Sequence, residues 1–459
     1  MQALKNQWNR LGTTRDRFGQ TTGSSNMGDT TNVEPRLVVA HFMLGNTFPY
    51  TTSDWEQTFD LAQATSLDGL ALNLGREDWQ LEQALKAFDM ISSPTSKWKL
   101  KLFVSLDMNS LSGNVEELVR KGSRLMGGTN SDTVLRVKGQ KVMSTFGGHA
   151  AVDWAEVLGR LEAELGEKIF FMPAFFMPSE DFVSLPLVDG TFAWNNAWPM
   201  GNHTINLDED APFLRSNKPY MAAVSPGFST HYGTEGEWAF NKNWIYRSDD
   251  LLLPTRFLQL LSLPPVSSPA ILQIVSFNDY GESHHLAPVL GAEPGSQSWT
   301  ADMPHDGLRD LTRYFIERWR DGKPAVEEGS TKGKLWIWYR TQSKDMVALE
   351  DPVGRPRNAD WAQDLINVAV TLPPSSEVHH LRIQAGSTDL RSFIELQNGQ
   401  LNLITVPFRP GKVVFSVTKG SGSWPIDNLL REHGREIVEQ AEKWNFNFWS
   451  AAYEFRVGE

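Results

Sequence analysis

The sequence predicts an α/β fold in which a (β/α)8 barrel precedes a smaller antiparallel β-sandwich. Eight short apolar runs, mostly separated by patterns of helical period, fill the first two thirds of the chain. After about residue 330, apolar and polar residues alternate, which is typical of antiparallel strands with one buried face. A doubly wound sheet is the alternative, but residues 41–46 lack its glycine-rich nucleotide-binding turn.

The 459 residues exceed one ordinary core, so we expect a large domain and a smaller one. Residues 1–34 are polar and without period, and are predicted to be a tail. Residues 35–325 form the predicted barrel, and residues 330–420 the accessory sandwich. The pattern of residues 426–442 indicates a helix, so residues 421–459 are expected to be a C-terminal helical segment.

Each element rests on a local signal: strands on short apolar runs rich in β-branched residues, and helices on amphipathic runs. The barrel strands are predicted at residues 37–42, 67–73, 101–107, 141–146, 168–173, 188–194, 220–225 and 271–277. The helices are predicted at 55–64, 79–91, 115–125, 154–165 and, closing the barrel, 308–320. The sandwich strands are predicted at 334–340, 365–371, 378–383 and 412–417.

Composition excludes several classes of function. A net charge of −12 argues against nucleic acid, because phosphate contacts need clustered Lys and Arg. The absence of cysteine excludes disulfides, thiolate metal sites and a thiol nucleophile. No apolar run is long enough for a membrane span, and the N-terminus shows no signal-peptide core. The 17 tryptophans are compatible with a neutral polymer whose flat sugar faces stack on indoles.

The last predicted barrel strand leads directly into a cluster of polar side chains. Asp279 and Glu282 are three residues apart with Gly281 between them, so a tight turn could direct both carboxyl groups into one cleft. Two carboxyl groups in unlike surroundings are what general acid and base catalysis requires. The competing interpretation is an ordinary turn, in which Asn278 and Asp279 bond to their own backbone.

Residues that follow the strands of a parallel barrel converge on one rim. Here that rim is polar and aromatic, although the strands leading to it are apolar. Carboxylates would serve bond cleavage, amides and imidazoles would bind hydroxyls, and indoles would stack on sugars, although core packing competes for the indoles. The predicted rim residues are His41, Asn73, Asp107, His149, Trp194, Trp198, His231, Asp279 and Glu282.

Several segments, in the same order, resemble glycoside hydrolase family 71, the fungal α-1,3-glucanases known as mutanases. Residues 278–284, NDYGESH, are similar to the family hallmark, with Phe277 where the family usually has Trp. The Ala-Leu-Asn ending at Asn73, the strand ending at Asp107 and the Lys-Pro-Tyr at residues 218–220 are further matches. Gly227 replaces an expected aromatic residue. The resemblance covers residues 35–320.

The resemblance implies endo-hydrolysis of α-1,3-glucosidic bonds with inversion, by one carboxylic acid and one carboxylate base. We assign Glu282 as the acid, Asp279 as the base and Asp107 as a third acidic residue that binds hydroxyls or tunes its neighbours, although it could equally cap the next segment. The expected partner is a neutral polysaccharide, bound by a monomer without cofactor or metal. The cellular location of the protein stays open, because the family is typically secreted but the N-terminus shows no signal-peptide core. The predicted substrate-binding residues are His41, Asn73, His149, Trp194, Trp198, His231, Tyr232, Asn278, Tyr280 and His284.

Two other classes of function stay open. A metal-dependent barrel hydrolase could use Asp279, His41, His284 and His285 as ligands, although the first strand lacks the usual His-x-His. A catalytically inactive glucan-binding protein is the other, and the substituted family positions 227 and 277 are its only hints.

Overall fold

The computed structural model describes residues 36–130, 132–150, 152–386, 391–420 and 427–457. From Arg36 onward the chain forms one compact unit. The predicted N-terminal tail, residues 1–34, lies outside the described residues. Within the described ranges, no helix has both the length and the apolar character needed to cross a bilayer.

The described elements are numbered here in chain order. The helices are α1 Thr52–Ala64, α2 Asp78–Ser92, α3 Val115–Met126, α4 Trp154–Leu165, α5 Ser179–Ser184, α6 Ala211–Arg215, α7 Leu252–Leu261, α8 Gln297–Thr300 and α9 Asp306–Asp321. The strands of the first two thirds are β1 Leu37–Met43, β2 Gly69–Leu74, β3 Lys101–Asp107, β4 Arg136–Val137, β5 Gln140–Phe146, β6 Ile169–Phe171, β7 Thr191–Ala193, β8 Tyr220–Val224, β9 Ser229–His231, β10 Asn243–Ile245 and β11 Ile271–Ile274. The later strands are β12 Lys332–Arg340, β13 Gln342–Ala348, β14 Leu365–Thr371, β15 His379–Ala385, β16 Arg391–Leu396, β17 Leu401–Pro407, β18 Val413–Lys419, β19 Asp427–His433, β20 Val438–Ala441 and β21 Phe448–Arg456.

All eight predicted barrel strands are found, and they form one curled parallel sheet in the order β6-β5-β3-β2-β1-β11-β8-β7. Helices follow most of these strands, as the alternating pattern predicted. The two ends of the sheet, β6 and β7, are consecutive in the chain. Phe192 N–H in β7 donates to Pro173 O, two residues after β6, at 3.1 Å, but no ladder joins β6 to β7 in the described part of the chain.

Alternate residues of the parallel strands face two different cores. Val38 and Ala40 belong to a cluster that includes the helix residues Trp55 and Phe59. Val39 belongs to the second cluster, which fills the inside of the curled sheet. Side chains two residues apart share a face of a strand. The alternation therefore directs the polar residues near the strand ends inward as well, and these residues are His41 on β1, Asn73 on β2 and Asp107 on β3.

The later strands form two four-stranded antiparallel sheets, β17-β14-β12-β21 and β16-β15-β18-β19, and a two-stranded pair, β13-β20. All four strands predicted there are found, as β12, β14, β15 and β18. One cluster of buried apolar side chains contains residues of both four-stranded sheets, among them Ile337 and Phe415. This shared core agrees with the alternation of apolar and polar residues in this part of the sequence.

The prediction of a helix at residues 426–442 is wrong. Its described part forms β19 and β20, and β19 pairs with β18 from Lys419–Asp427 to Val414–His433. Between the two strands Gly434 approaches Tyr339 so closely that a Cβ would collide with the tyrosine hydroxyl. Pairing of β19 with the preceding strand β18, and of β20 with the distant strand β13, therefore overrides the local helical pattern.

A buried ion pair anchors β8, the neighbour of β11. Arg256 on α7 donates to both carboxylate oxygens of Asp210, at 2.6 and 2.7 Å, and to Ala223 O at 3.0 Å. Tyr220 donates its hydroxyl to the same carboxylate at 2.5 Å. Both charged side chains are almost fully buried, so neither can exchange its partner for water.

We expect Asp210→Asn to destabilise the fold, because it leaves the Arg256 charge buried without its counter-ion, a loss of about 3–5 kcal/mol. Urea unfolding at neutral pH measures this loss in the free energy of unfolding. The matched control is Glu180→Gln, because Glu180 pairs with Arg215 at the surface and its side chain is 74% exposed. Equal, small effects of the two substitutions would contradict the anchoring role.

Candidate active site

The turn that follows β11 is closed by backbone hydrogen bonds. Phe277 N donates to His41 O at 2.8 Å, which ties the turn to β1. Ala287 N donates to Phe277 O at 2.8 Å, and Ser276 N to His284 O at 3.0 Å. Residues 278–285 therefore form a compact loop at the carboxyl end of β11, the edge of a parallel sheet where sites are built.

The loop brings the two predicted carboxyl groups together. Asp279 and Glu282 each place a carboxylate oxygen within 4.8 Å of the other and of a His284 ring nitrogen. Glu282 N donates to Asp279 Oδ1 at 3.2 Å, so the turn also fixes their relative position. The Glu282 side chain is 17% exposed, so it is mostly buried but open to solvent. We call Asp279 and Glu282 the acidic pair.

Two donors hold the Glu282 carboxylate. His284 Nε2 lies 3.0 Å from Oε2, and Lys242 Nζ donates to Oε1 at 3.2 Å. The other imidazole nitrogen of His284 lies 2.9 Å from Ser276 Oγ, which also accepts from Asp279 N at 2.8 Å. A neutral imidazole satisfies this chain when its Nε2–H donates to Glu282 and its Nδ1 accepts from the Ser276 hydroxyl.

The surroundings shift the pKa values of the two carboxyl groups in opposite directions. Burial raises the pKa of Asp279 to about 6, and the nearby charge of Glu282 adds to this. Burial also acts to raise the pKa of Glu282, but the bonds from His284 and Lys242 outweigh it and lower the pKa to about 2. The shared proton therefore resides on Asp279 and the negative charge on Glu282.

Several predicted rim residues lie around the acidic pair. Asp107 interacts electrostatically with Glu282 and Lys242, and burial raises its pKa. Burial is the main cause that lowers the pKa of His41 to about 3, and the neighbouring His284 acts in the same direction, so the His41 imidazole is neutral. The His41 ring meets Trp194 edge-on, with centroids 4.7 Å apart.

Tyr232 and Gly281 form a tight contact beside the pair. A Cβ on Gly281 would collide with the Tyr232 hydroxyl, so only glycine lets the loop pass this ring. The hydroxyl donates to Pro294 O at 2.8 Å. Burial, followed by the charges of Asp279 and Glu282, raises the pKa of Tyr232. The ring thus forms one wall of the site in its neutral form.

Other residues of the predicted set serve as framework rather than as exposed substrate contacts. Asn278 is fully buried, accepting from Met43 N at 2.7 Å and donating to Met43 O at 3.1 Å. Tyr280 is also fully buried, and its hydroxyl bonds the backbone of Pro288 and Leu290. Their roles therefore differ from the predicted binding of sugar hydroxyls: they lock the loop to β1 and to the segment that follows it.

Three more side chains have their polar atoms engaged by protein groups. His231 lies between Asn243 Oδ1 at 2.9 Å and Asp351 Oδ2 at 2.8 Å, so neither ring nitrogen is available. Trp198 donates to Gly227 O and stacks on His284, with centroids 5.7 Å apart. His284 itself is fully buried, so it contacts Glu282 instead of a substrate.

The last two predicted residues lie near the edge of the site. Asn73 is buried at the end of β2, in register with Met43 and Ser105. His149 is exposed beyond β5, and its ring centroid lies 6.2 Å from that of Phe175. Neither residue has a contact with the acidic pair among the described interactions.

Sequence reasoning missed Ser276 and Lys242. Ser276 lies within the predicted strand, but β11 ends at Ile274 and the chain then turns. Lys242 lies directly before β10. Only the pairing of β9 with β10, which local patterns did not indicate, carries it to Glu282.

Asp279, Glu282 and His284 lie close enough together to serve as ligands of one metal ion. The donor set fits such an ion poorly, because both oxygens of Glu282 already face donors. The Lys242 ammonium also lies where a cation would be repelled. The arrangement suits proton transfer better than metal binding.

The sheet and the site together define a class of protein. The site contains two adjacent carboxyl groups with opposite protonation preferences at the end of a parallel strand. This arrangement is characteristic of an enzyme that uses general acid–base catalysis. The family described as Glycosyl hydrolase family 71 matches residues 34–456. The chain belongs to glycosyl hydrolase family 71, which confirms the family predicted from the motif.

Relatives match along most of the chain. It is 31% identical over 439 residues to the glucan endo-1,3-alpha-glucosidase of Schizosaccharomyces pombe, covering 92% of this chain and 95% of that protein. It is 30% identical over 441 residues to a mutanase of Penicillium rubens, covering 91% and 88%. Among solved structures, the GH99 endo-alpha-mannosidase of Bacteroides thetaiotaomicron aligns with a TM-score of 0.46 and 13% identity, over 62% of this chain and 97% of that one.

The opposite pKa shifts predict opposite effects of two amide substitutions on stability. The pKa of Asp279 is raised to about 6, so its ionisation destabilises the fold increasingly as the pH rises past its unfolded value toward 6. Asp279→Asn should therefore stabilise the protein at pH 7 by roughly 2 kcal/mol, with no gain below about pH 4.

Glu282→Gln should have the reverse effect. The lowered pKa of Glu282 contributes stability above its unfolded value, and this is lost as the pH falls toward 2. The substitution should therefore destabilise the fold at pH 7 and matter progressively less in acid. Denaturant unfolding between pH 4 and pH 7 measures both variants, and the same sign for both at pH 7 would contradict the charge distribution described.

Proposed function

We propose that the protein is an endo-acting hydrolase of α-1,3-glucan. The single observation that carries this proposal is the acidic pair in the family motif, with one carboxyl group tuned to keep its proton and the other to stay ionised. The names of the two matched relatives supply the substrate class, since both describe enzymes of this type. We further propose that the protein acts as a monomer on a neutral polysaccharide and binds no nucleic acid.

Asp279 is the proposed general acid and Glu282 the proposed base. This reverses the assignment made from sequence, which had no information on the surroundings of either group. A general acid must hold a proton at the working pH, and burial beside a charged neighbour favours the protonated form of Asp279. A base must be ionised, and the donors Lys242 and His284 favour that form of Glu282.

Asp107, His41 and Trp194 are proposed to contact the glucosyl residue at the cleavage point. His41 and Asp107 lie at inward-facing positions of β1 and β3, and Trp194 directly follows β7, so all three lie toward the same end of the sheet as the acidic pair. Asp107 would accept hydrogen bonds from hydroxyls and Trp194 would pack against a sugar face. The curled sheet is proposed to be a (β/α)8 barrel over residues 35–325. The two four-stranded sheets are proposed to be a β-sandwich, which extends beyond the predicted bounds of 330–420 because β19 and β21 complete the two sheets.

The stereochemical outcome stays a prediction. Inverting enzymes keep their two carboxyl groups roughly 6.5–9.5 Å apart to admit a water molecule, whereas retaining enzymes keep them about 5–5.5 Å apart. Oxygens of the acidic pair lie within 4.8 Å of each other. Inversion by this pair therefore requires the two groups to move apart when substrate binds.

Release of reducing sugar from α-1,3-glucan tests the activity. We expect Glu282→Gln and Asp279→Asn each to lower kcat by about 1,000-fold or more, because each removes one proton-transfer group. The control is Asp60→Asn, which changes a half-exposed carboxylate on α1 that pairs with Lys97. Wild-type rates in either amide variant would contradict the assigned roles.

The pKa values predict the pH dependence of the reaction. Because Asp279 must be protonated and its pKa lies at about 6, kcat/KM should fall as the pH rises above 6. Lys242→Met removes a donor to Glu282, so the acid limb of the profile should move to higher pH. An acid limb that does not move would show that Glu282 is not the base.

Proton NMR of the first product gives the anomeric configuration. Inversion predicts a β-configured reducing end from the α-linked polymer, whereas a first-formed α-anomer would show retention and overturn the inverting proposal.

Metal-dependent hydrolysis is the second candidate, favoured only by the closeness of the three possible ligands. Full activity after dialysis against a chelator would exclude it, and activity restored specifically by added divalent cation would support it.

A further inference from the structure

The β9–β10 hairpin, residues 229–245, carries two exposed aromatic side chains. Trp238 is 39% exposed and Phe240 is 51% exposed, and their ring centroids lie 6.0 Å apart at 39°. Large apolar side chains are usually buried, so a neighbouring pair left in solvent indicates a binding surface. Neither residue belonged to the set predicted from sequence.

The hairpin loop is held in a defined shape. Tyr232 N donates to Lys242 O at 2.6 Å and Asn241 N to Gly233 O at 2.9 Å, which closes the base of the loop. At its tip Phe240 N donates to Trp238 O at 2.8 Å. The two rings are therefore presented by an ordered turn, so binding requires little additional ordering.

Contacts connect the two exposed rings to the acidic pair. Phe240 meets the Tyr232 ring edge-on at 4.9 Å, and Tyr232 packs against Gly281, between Asp279 and Glu282 in the chain. Trp238 lies against Gly295, where a Cβ would come within 2.8 Å of the indole. This close packing fixes the position of the indole beside the segment that follows the catalytic loop.

The same hairpin supplies Lys242, the donor to Glu282. Lys242 follows Phe240 by two residues, so one short segment carries both the exposed rings and the ammonium group that keeps the proposed base ionised. A ligand lying on the rings would therefore adjoin the acidic pair.

We propose that Trp238 and Phe240 form a glucosyl-binding subsite next to the cleavage point, which extends the substrate contacts beyond the glucosyl residue held at the acidic pair. This inference rests on the proposed function, because it takes the occupant to be an α-1,3-glucan chain. The C–H faces of a glucosyl ring are apolar and match an aromatic face, whereas the hydroxyls at its edge stay in water.

The size of the surface favours a sugar over a protein partner. A specific protein interface buries more than about 1,000 Å² in total, far more than two side chains offer. Two tilted rings 6.0 Å apart suit one or two sugar units instead. The adjoining acidic pair supplies a reason for a polysaccharide to pass here, which an isolated surface patch would lack.

The test uses the full chain with Trp238→Ala, Phe240→Ala and the conservative Trp238→Phe. Kinetics are measured on α-1,3-linked glucose oligosaccharides of increasing length, together with binding to insoluble α-1,3-glucan. We expect the alanine variants to raise KM for long oligosaccharides about 10-fold with little change in kcat, since they remove stacking that is equal in ground and transition states. Trp238→Phe should restore most of the affinity.

The matched control is Phe393→Ala on β16. Phe393 is 52% exposed and stacks on His380 in the later antiparallel sheet, so it tests whether removing any exposed ring has the same effect. We expect wild-type kinetics and wild-type glucan binding for this variant.

The outcomes separate the subsite from the proposed function. A wild-type enzyme that cleaves α-1,3-glucan, with unchanged KM and binding in both alanine variants, overturns the subsite and leaves the function intact. A wild-type protein that binds α-1,3-glucan without cleaving it overturns the function, and weaker binding by Trp238→Ala and Phe240→Ala then supports the subsite. A fall in kcat alone, with unchanged KM and binding, also overturns the subsite, because the rings would then act only by positioning Lys242.

Discussion

The site depends on how the Glu282 carboxylate is held. A mostly buried anion is unstable unless donors surround it, and here two come from different parts of the chain. His284 belongs to the same loop as Glu282, whereas Lys242 arrives on the β9–β10 hairpin. Burial raises the pKa of the adjacent Asp279, and the charge of Glu282, which these donors keep ionised, raises it further. The protonation of the pair is thus set by the burial of Asp279 together with the donors around Glu282.

The polar residues of the motif fall into two groups with different physical roles. Asn278 and Tyr280 are buried and bonded to backbone groups, so their function is to hold the loop. Asp279 and Glu282 reach the site from the same turn, and Gly281 between them allows the close approach of Tyr232. A dense run of polar residues in the sequence therefore does not mean that each side chain contacts substrate. Most of the hydrogen bonds here build the support that places two carboxyl groups.

The sequence predicted what local patterns encode. Their position at the ends of predicted strands was enough to place His41 and Asp107 at the rim, and the spacing of the acidic residues was enough to pair them. It did not predict β19 and β20, because a local helical pattern was overridden by their pairing with β18 and β13. It also could not find Lys242, whose role arises only when the hairpin folds back. The acid and base roles proposed from the structure differ from those assigned from sequence for the same reason, since burial and partners are properties of the folded chain.

The two carboxyl groups are held by different numbers of hydrogen bonds, and this difference determines which of them can move to widen the short distance between them. Glu282 is bound through both oxygens, by His284 and Lys242, so moving it would break two charge-assisted contacts. In the described structure the Asp279 carboxylate accepts from a single group, the backbone N–H of Glu282. Any widening of the pair to admit water must therefore come from rotation of Asp279, the group proposed to carry the proton. A protonated side chain loses less on such a movement than a charged one, because it leaves no ion without its partner.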